Sequence, residues 1–342
     1  MISETQRASA RARVRLAGEA RRILGALGYE EVETPCLVPA PGMEPHVQAF
    51  ETRFAPGGGE PGTLYLHTSP EYAMKRLLAD GFPRIFQLAR VFRNEELSAS
   101  HNPEFTMLEM YRAAADSVGV IEDVERLVEA CARSLLAGGA RVRRRGEELD
   151  LAAPFERLTV AEAFRRHAGV DLEVCGGDAA RLAEAARGAG HDPGPPGEPF
   201  DDVFFRVMLD AVEPRIGRGR PTWLVDWPAS MAALARLRPG DPRWAERFEL
   251  YAGGLELANG FAELTDAREQ RRRLLAEREL RARLGRSVYP LDERFLEAVG
   301  RMPESGGVAI GFDRLLMLLT GAERIEDVLL FPASGFAGGA PG

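Results

Sequence analysis

Arg93, Asn94, Glu95, His101 and Asn102 crowd one short stretch of this chain, and Glu109 and Tyr111 follow within two turns' length of sequence. From Ile85 to Asn94 apolar residues fill both parities, the pattern of a strand buried on both sides. From Glu104 to Arg112 the parity places Phe105, Met107, Glu109 and Tyr111 on one face. The two segments read as a hairpin joined by a polar loop. Its rim offers a cation and hydrogen-bond donors, with a carboxylate and a phenol further down, which suits a zwitterion beneath a phosphate. A solvated, charged hairpin tip is the plain structural alternative.

A second segment, GVAIGFDRLLML from Gly307 to Leu318, lies about 200 residues further along. Gly307 to Gly311 reads as a short strand of small residues, and Phe312 opens an apolar helix through Leu319. Asp313 in the first turn suits the helix dipole, whereas Arg314 beside it does not. An anion at that end resolves the conflict, and a triphosphate fits, because free backbone N–H groups and a guanidinium both bind phosphate oxygens. A surface ion pair of Arg314 is the alternative.

A third segment is RFELYAGGLELANGFAELTD, starting at Arg247. A two-residue turn at Gly253-Gly254 sets Tyr251 opposite Glu256 and Glu249 diagonally across on the same face. Two carboxylates so placed repel unless a cation lies between them, and hard oxygen ligands select Mg²⁺. Asn259, Phe261 and Glu263 share one parity and Glu256 has the other. A pocket lined by all four requires a bulge or twist near Ala258 to Gly260.

The elements that must position these groups are partly legible. A helix from about Arg7 to Leu27 leads to an extended piece that Pro35 ends. Leu64 to Thr68 reads as a strand, and Ser69 as the N-cap of a helix with Glu71 in its first turn. Between about residues 116 and 244 the signals weaken. Helices near Ile121 to Leu136 and Thr159 to His167, then a Gly/Pro-rich run from Gly188 to Pro199, suggest an insertion on the main domain, 1–334. The arginine runs Arg141 to Arg145 and Arg268 to Arg283 read as solvated faces, and 335–342 as a flexible tail.

Composition narrows the chemistry. The chain has 342 residues, 45% of them apolar, and a formal charge of −8, so it can bury a large core and argues weakly against a broad nucleic-acid surface. Cys36, Cys131 and Cys175 form no CxxC pair, as expected of packing residues in a reduced cytoplasmic protein. No apolar run approaches the ~18 residues of a membrane span, and the Arg/Ala-rich start is read as a surface helix rather than a presequence. Lys75, preceded by Met74, is the only lysine in the chain, which removes a Walker A loop and leaves one position for a Schiff base. Neither a GxSxG elbow nor an HExxH helix is present.

The helix from about Arg7 with the extended piece Glu31 to Cys36, the hairpin Phe86 to Glu109, and Gly307 to Leu318 resemble the first, second and third signature motifs of the class II aminoacyl-tRNA synthetases, and ELANGFAELTD resembles the substrate-pocket string of the lysyl-tRNA synthetases. The similarity runs from about Arg11 to Phe331. It implies an α+β fold, an antiparallel sheet of about six strands flanked by helices, in a homodimer. It also implies that Arg93 binds the substrate carboxylate and the α-phosphate, and that Glu95, His101 and Asn102 hold a bent ATP. Phe105 would stack on adenine, Arg314 would cover its other face or reach the γ-phosphate, and Gly311 would allow close approach. Asn94 and Leu257 would line the nucleotide site, and Glu249 and Glu256 would bind Mg²⁺. Glu263 and Tyr111 would hold the terminal ammonium of lysine, with Phe261 on its methylenes. Glu71, Glu109 and Asn259 would serve the inner amino group, and Ser69, Pro70 and Ala309 would also line the substrate site.

Two departures redirect the resemblance. The first motif begins only about 30 residues in, which leaves no room for an anticodon-binding barrel. Ala309 stands where the tRNA-charging relatives have glycine, and its methyl would crowd the α-amino group of lysine. Both features are similar to the elongation factor P lysine ligases, a family of lysyl-tRNA synthetase paralogues. Membership would imply an adenylate of (R)-β-lysine and transfer of its acyl group to a lysine of elongation factor P. A short synthetase that activates α-lysine for tRNA or another acceptor is the nearest alternative. An inactive paralogue would be expected to lack some of Arg93, Glu249, Glu256 and Arg314, and all four are present.

Overall fold

A computed structural model of the chain describes residues 3–337. Eight strands form the main sheet: β1 (Glu30–Glu31), β2 (Arg84–Phe92), β3 (Glu104–Ala113), β4 (Glu156–Thr159), β5 (Thr222–Pro228), β6 (Trp244–Ala252), β7 (Leu255–Ala262) and β8 (Ser305–Gly311). Their spatial order is β1-β2-β3-β8-β7-β6-β5-β4. The inner six are antiparallel throughout, as expected, and the short edge strands β1 and β4 add parallel pairings that make the sheet mixed.

Alternation on these strands separates a core face from a site face. Leu108 and Met110 of β3, Val308 and Ile310 of β8, and Phe248 and Leu250 of β6 point into the main core. Three helices cover that side: α1 (Glu4–Ala26) through Leu16 and Leu24, α3 (Ser117–Leu135) through Val124, Leu127 and Val128, and α5 (Phe312–Thr320) through Leu315, Leu316 and Leu319. The uncovered face carries Glu109, Ala309, Asn259 and Glu249 in one row across β3, β8, β7 and β6, because these residues are direct register partners. Helix α2 (Glu71–Ala79) and helix α4 (Ala267–Arg283) flank this side. Among the described residues no helix is long and apolar enough to cross a membrane.

The expected insertion at 116–244 is narrower in the fold. Helix α3 belongs to the main core, and β4 and β5 pair into the main sheet. The appended part starts at the helix Val160–His167, which Thr159 caps in a capping box, and continues through Ala179–Gly188 and Phe200–Val207. Phe164, Leu182 and Phe204 close a second core against Leu224 and Trp227 of β5. Of the expected tail, Gly335 lies in the helical turn Ser334–Ala337, and residues 338–342 are outside the described residues.

Other local readings need correction. Arg144 is 1% exposed and donates to the carbonyls of Gly253 and, at 3.2 Å, Ala322. Arg281 is fully buried and donates to the carbonyls of Ser287, Glu44 and Val47 at 2.6–2.7 Å. Both sit in runs read as solvated faces. Each is a staple, five donors in a fixed fork meeting loop carbonyls that no helix or strand satisfies. Cys131 and Cys175 are buried as expected, but Cys36 is exposed.

Candidate active site

The hairpin expected at Gly253-Gly254 forms with both glycines at positive φ, 59° and 72°, the backbone of a tight two-residue turn. Tyr251 pairs with Glu256 and Glu249 with Asn259. The register shifts between Leu250 and Tyr251, so Leu257 is the extra residue of a bulge, one position before the expected region. Leu257 and Ala258 consequently both face the core, and Glu256 joins Asn259 and Glu249 on the site face. Gly260 has a different role. A Cβ there would lie 2.4 Å from the Phe248 ring and 2.6 Å from the Gly307 carbonyl, so it allows close packing on the core side.

On the side of the row toward Phe105 and Gly311 a cleft is lined by Arg93, Glu96, His101, Asn102, Phe105, Glu256, Leu257, Gly311 and Arg314, together with Asn259 and Ala309 of the row itself. The Arg93 guanidinium lies 5.4 Å from the Phe105 ring centre, and its Nε donates only weakly to the Thr68 carbonyl at 3.4 Å. Arg314 donates to the Glu256 carbonyl at 2.9 Å and to His101 Nε2 at 2.6 Å, and its nearest carboxylate contact is Glu256 at 3.7 Å. Burial, then the charges of Arg314 and Arg93, push His101 down to about 4. It is therefore neutral near pH 7, with Nε2 accepting from Arg314 and Nδ1 facing the Ser98 hydroxyl at 2.8 Å. The cleft thus presents an aromatic ring and two cations that are only loosely paired, Arg93 with Glu96 at 3.8 Å and Arg314 with Glu256 at 3.7 Å, which suits a nucleotide.

Three expected nucleotide-site residues are otherwise engaged. Glu95 turns out of the cleft to Arg286, 3.3 Å away. The Asn94 side chain accepts from the Glu95 N–H at 3.0 Å. Asn102 lines the cleft, but its amide already bonds the Glu104 carbonyl at 2.6 Å and the Ala333 N–H at 2.9 Å. Asp313, read as a dipole complement, is instead a buried tie that accepts from Thr106 N–H at 2.8 Å and from Arg13.

On the other side of the row, toward Tyr111 and Gly307, lies an acidic pocket. Tyr111 and Ser69 donate their hydroxyls to Glu109 at 2.6 and 2.7 Å. Burial, followed by the charge of Glu71, holds the Glu109 carboxyl well above the usual carboxylate range against those bonds. The N-cap of α2 is Pro70, one residue after the expected Ser69, whose hydroxyl accepts from the Glu71 N–H at 3.0 Å. Phe261 stands beside Gly307, which stands beside Tyr111. Among the described residues Glu263 Oε1 and Asn259 Oδ1 are buried acceptors without a partner. A Cβ at Gly307 would come within 2.4 Å of Glu263 Oε1 and 2.3 Å of the Tyr111 ring, so both groups border the space above that glycine.

The sequence reading missed Lys75, whose Nζ lies 2.6 Å from both Glu71 and Glu263. The i,i+4 spacing of Glu71 and Lys75 on a helix was an available signal for the first contact. It also missed Arg247 and Tyr251, which bond the two oxygens of Glu249 at 2.5 and 2.6 Å. Burial raises Glu249, Arg247 opposes the rise, and the charge of Glu256 adds to it. Among the described residues no three His, Cys, Asp or Glu side chains converge as a metal cage. Two carboxylates beside a nucleotide cleft are nevertheless the donor set Mg²⁺ uses when phosphate oxygens and water supply the rest.

The family model for class II tRNA synthetases (D, K and N) matches residues 1–335. An elongation factor P–(R)-β-lysine ligase of Erwinia tasmaniensis is 43% identical over 323 residues, 93% of this chain and 93% of that protein. A protein of the same name from Salmonella arizonae is 43% identical over 316 residues, 92% of this chain and 91% of its own.

Proposed function

This chain belongs to the class II tRNA synthetase family (D, K and N), and from that premise we propose that it activates (R)-β-lysine with ATP and passes the acyl group to the ε-amino group of a lysine on elongation factor P. The observation that carries this reading is the pair of buried, unpartnered acceptors, Glu263 Oε1 and Asn259 Oδ1, in a pocket that also holds Glu71 and Glu109. An unpaired buried acceptor is costly, and an ammonium group supplies the missing donors with favourable charge. A substrate with two amino groups separated by methylenes matches acceptors at two positions with Phe261 between them.

In the first step a carboxylate oxygen of the amino acid forms a bond to the α-phosphorus of ATP, and the bond to pyrophosphate breaks. Arg93, between the acidic pocket and the Phe105 platform, brings the two anions together and offsets their repulsion. Arg314, steadied by neutral His101, holds the departing phosphates. Bound Mg²⁺, held by Glu249 and Glu256, would neutralise phosphate charge. In the second step the acceptor amine bonds to the acyl carbon, AMP leaves with the bonding electron pair, and the amine proton passes to solvent. No side chain forms a covalent intermediate. Rate enhancement comes from positioning and charge.

The preference for (R)-β-lysine is supported by Ala309, whose Cβ stands in the row between Glu109 and Asn259. An amino group moved from the α to the β carbon avoids that methyl. The homodimer and the cytoplasmic setting belong to the same reading. Half-exposed Leu37 and Phe54, on the small sheet of Leu37–Val38, Phe50–Phe54 and Gly62–Leu66, offer apolar surface for the dimer.

The test is amino-acid-dependent ATP–pyrophosphate exchange with Mg²⁺, comparing (R)-β-lysine, α-lysine and no amino acid. Exchange favouring (R)-β-lysine, followed by a one-residue mass gain on elongation factor P, is expected. Exchange with α-lysine alone, with transfer to tRNA, would replace this reading by the synthetase alternative.

A further inference from the structure

Lys75 is the only lysine of the chain and is 1% exposed. Lysine is the side chain least suited to burial, since its ammonium is compact and strongly hydrated. It is buried here against two residues of the pocket. Its Nζ is 2.6 Å from Glu71 Oε1, one helical turn before it on α2, and 2.6 Å from Glu263 Oε2, just past β7. Glu263 is itself 2% exposed, and its second oxygen has no partner and borders the space above Gly307. The groups facing Lys75 are thus Glu71 and Glu263, with Glu109 and Tyr111 behind them and the carboxyls of Glu44 and Glu277 near Glu71 from other elements.

We propose that Lys75 is a positioning and specificity residue for the amino-acid pocket. Its ammonium favours the charged form of Glu263, fixes Glu71 and Glu263 at 2.6 Å, and turns their remaining oxygens toward an ammonium of the incoming substrate. This rests on the activity proposed above. Two carboxylates and one internal cation leave a single negative charge between Glu71 and Glu263. A substrate ammonium completes that charge, whereas an apolar side chain would leave it buried and unmet. Selection of a cationic amino acid then follows from a deficit of one cation in a partly neutralised triad.

The charge state of the triad is consistent with this role. Burial pulls Lys75 toward the neutral form, but Glu263 and then Glu71 outweigh burial and hold it charged. Burial raises the Glu263 carboxyl to about 7 even with Lys75 opposing the rise, and the charge of Glu71 adds to it. Removing Lys75 takes away that opposing cation, so the acid would regain its charge only at a still higher pH.

The sole lysine makes a direct test possible. Protein grown on ¹³Cε-lysine gives one side-chain signal. We expect it to keep the charged-form position through the ordinary lysine range near pH ~10.4, and to move on addition of (R)-β-lysine or α-lysine but not of ATP alone. A signal that titrates like free lysine, or that ignores an amino acid supporting exchange, overturns the proposal.

In kinetics, K75M should raise KM for the amino acid about tenfold or more, the loss of a charge-assisted contact, with KM for ATP unchanged. It should also move the acid limb of kcat/KM to higher pH, whereas K75R keeps the limb near its original place. A folded K75M with unmoved amino-acid KM and pH limb overturns the role. If K75M does not fold, the signal in the unmodified protein decides. Absence of exchange by the unmodified enzyme would overturn the proposed activity, and with it the substrate half of this inference. Exchange with an unmoved lysine signal removes only the role of Lys75.

Discussion

Replacing Gly307 by alanine separates the two ends of the site. The glycine lies on β8 between Tyr111 and Phe261, and a Cβ there would approach the Tyr111 ring to 2.3 Å and Glu263 Oε1 to 2.4 Å. Neither neighbour can give way freely. Tyr111 is 3% exposed and hydrogen-bonded to Glu109, and Glu263 is paired with buried Lys75. Overpacking of this kind costs about 1–3 kcal/mol, and two blocked contacts place it in the upper half, about 2–3 kcal/mol. At 1.4 kcal/mol per tenfold, that is a rise of about 30- to 140-fold in the amino-acid Kd. ATP binding should change less than about twofold, because Arg93, Phe105 and Arg314 lie on the other side of the row. The assay is calorimetric titration of the G307A protein with each ligand, beside exchange kinetics that report KM for both. An amino-acid Kd unchanged in a folded G307A protein would refute the placement of the ammonium above β8. Equal weakening of ATP would refute the separation of the two ends.

Three further outcomes follow from the geometry. A309G should improve use of α-lysine relative to (R)-β-lysine by about 5- to 100-fold in kcat/KM, since one methyl is worth ~1–3 kcal/mol; an unchanged ratio removes Ala309 from the specificity argument. With Glu249 pushed up to about 7, Mg²⁺–ATP binding should release roughly half a proton at pH 7, more at pH 6 and less at pH 8. Titration in buffers of different ionisation enthalpy measures that release, and a pH-independent value would exclude Glu249 as a ligand. R13A leaves the Asp313 carboxylate buried with only the Thr106 N–H. It should lower unfolding stability by about 2–4 kcal/mol in urea titrations, and a loss under about 0.5 kcal/mol would show that the tie is slack.

Much of the site was readable from parity, because alternation along a strand is local. The faces of Phe105 to Tyr111 and of Asn259 to Glu263, and the pairing of Tyr251 with Glu256, need only a strand period and a turn type. Even the requirement for a bulge followed from parity, since Glu256 and Asn259 could not otherwise share a face. The motif glycines and arginines then linked the segments to a family.

What parity could not supply was every contact closed between distant segments. The bulge sits at Leu257 because packing on the core side chose which residue to double. Arg144 and Arg281 are buried against loop carbonyls far along the chain, those of Gly253 and Ala322 for the first and of Glu44 and Val47 for the second. The lone lysine was visible at once, but its meaning depended on Glu263, brought beside α2 only when the sheet assembles. Local periodicity determines which way a side chain faces, and a residue's type bounds what it can do there. Which buried charge meets which is decided by the tertiary structure, since that energy depends on distances no local pattern encodes.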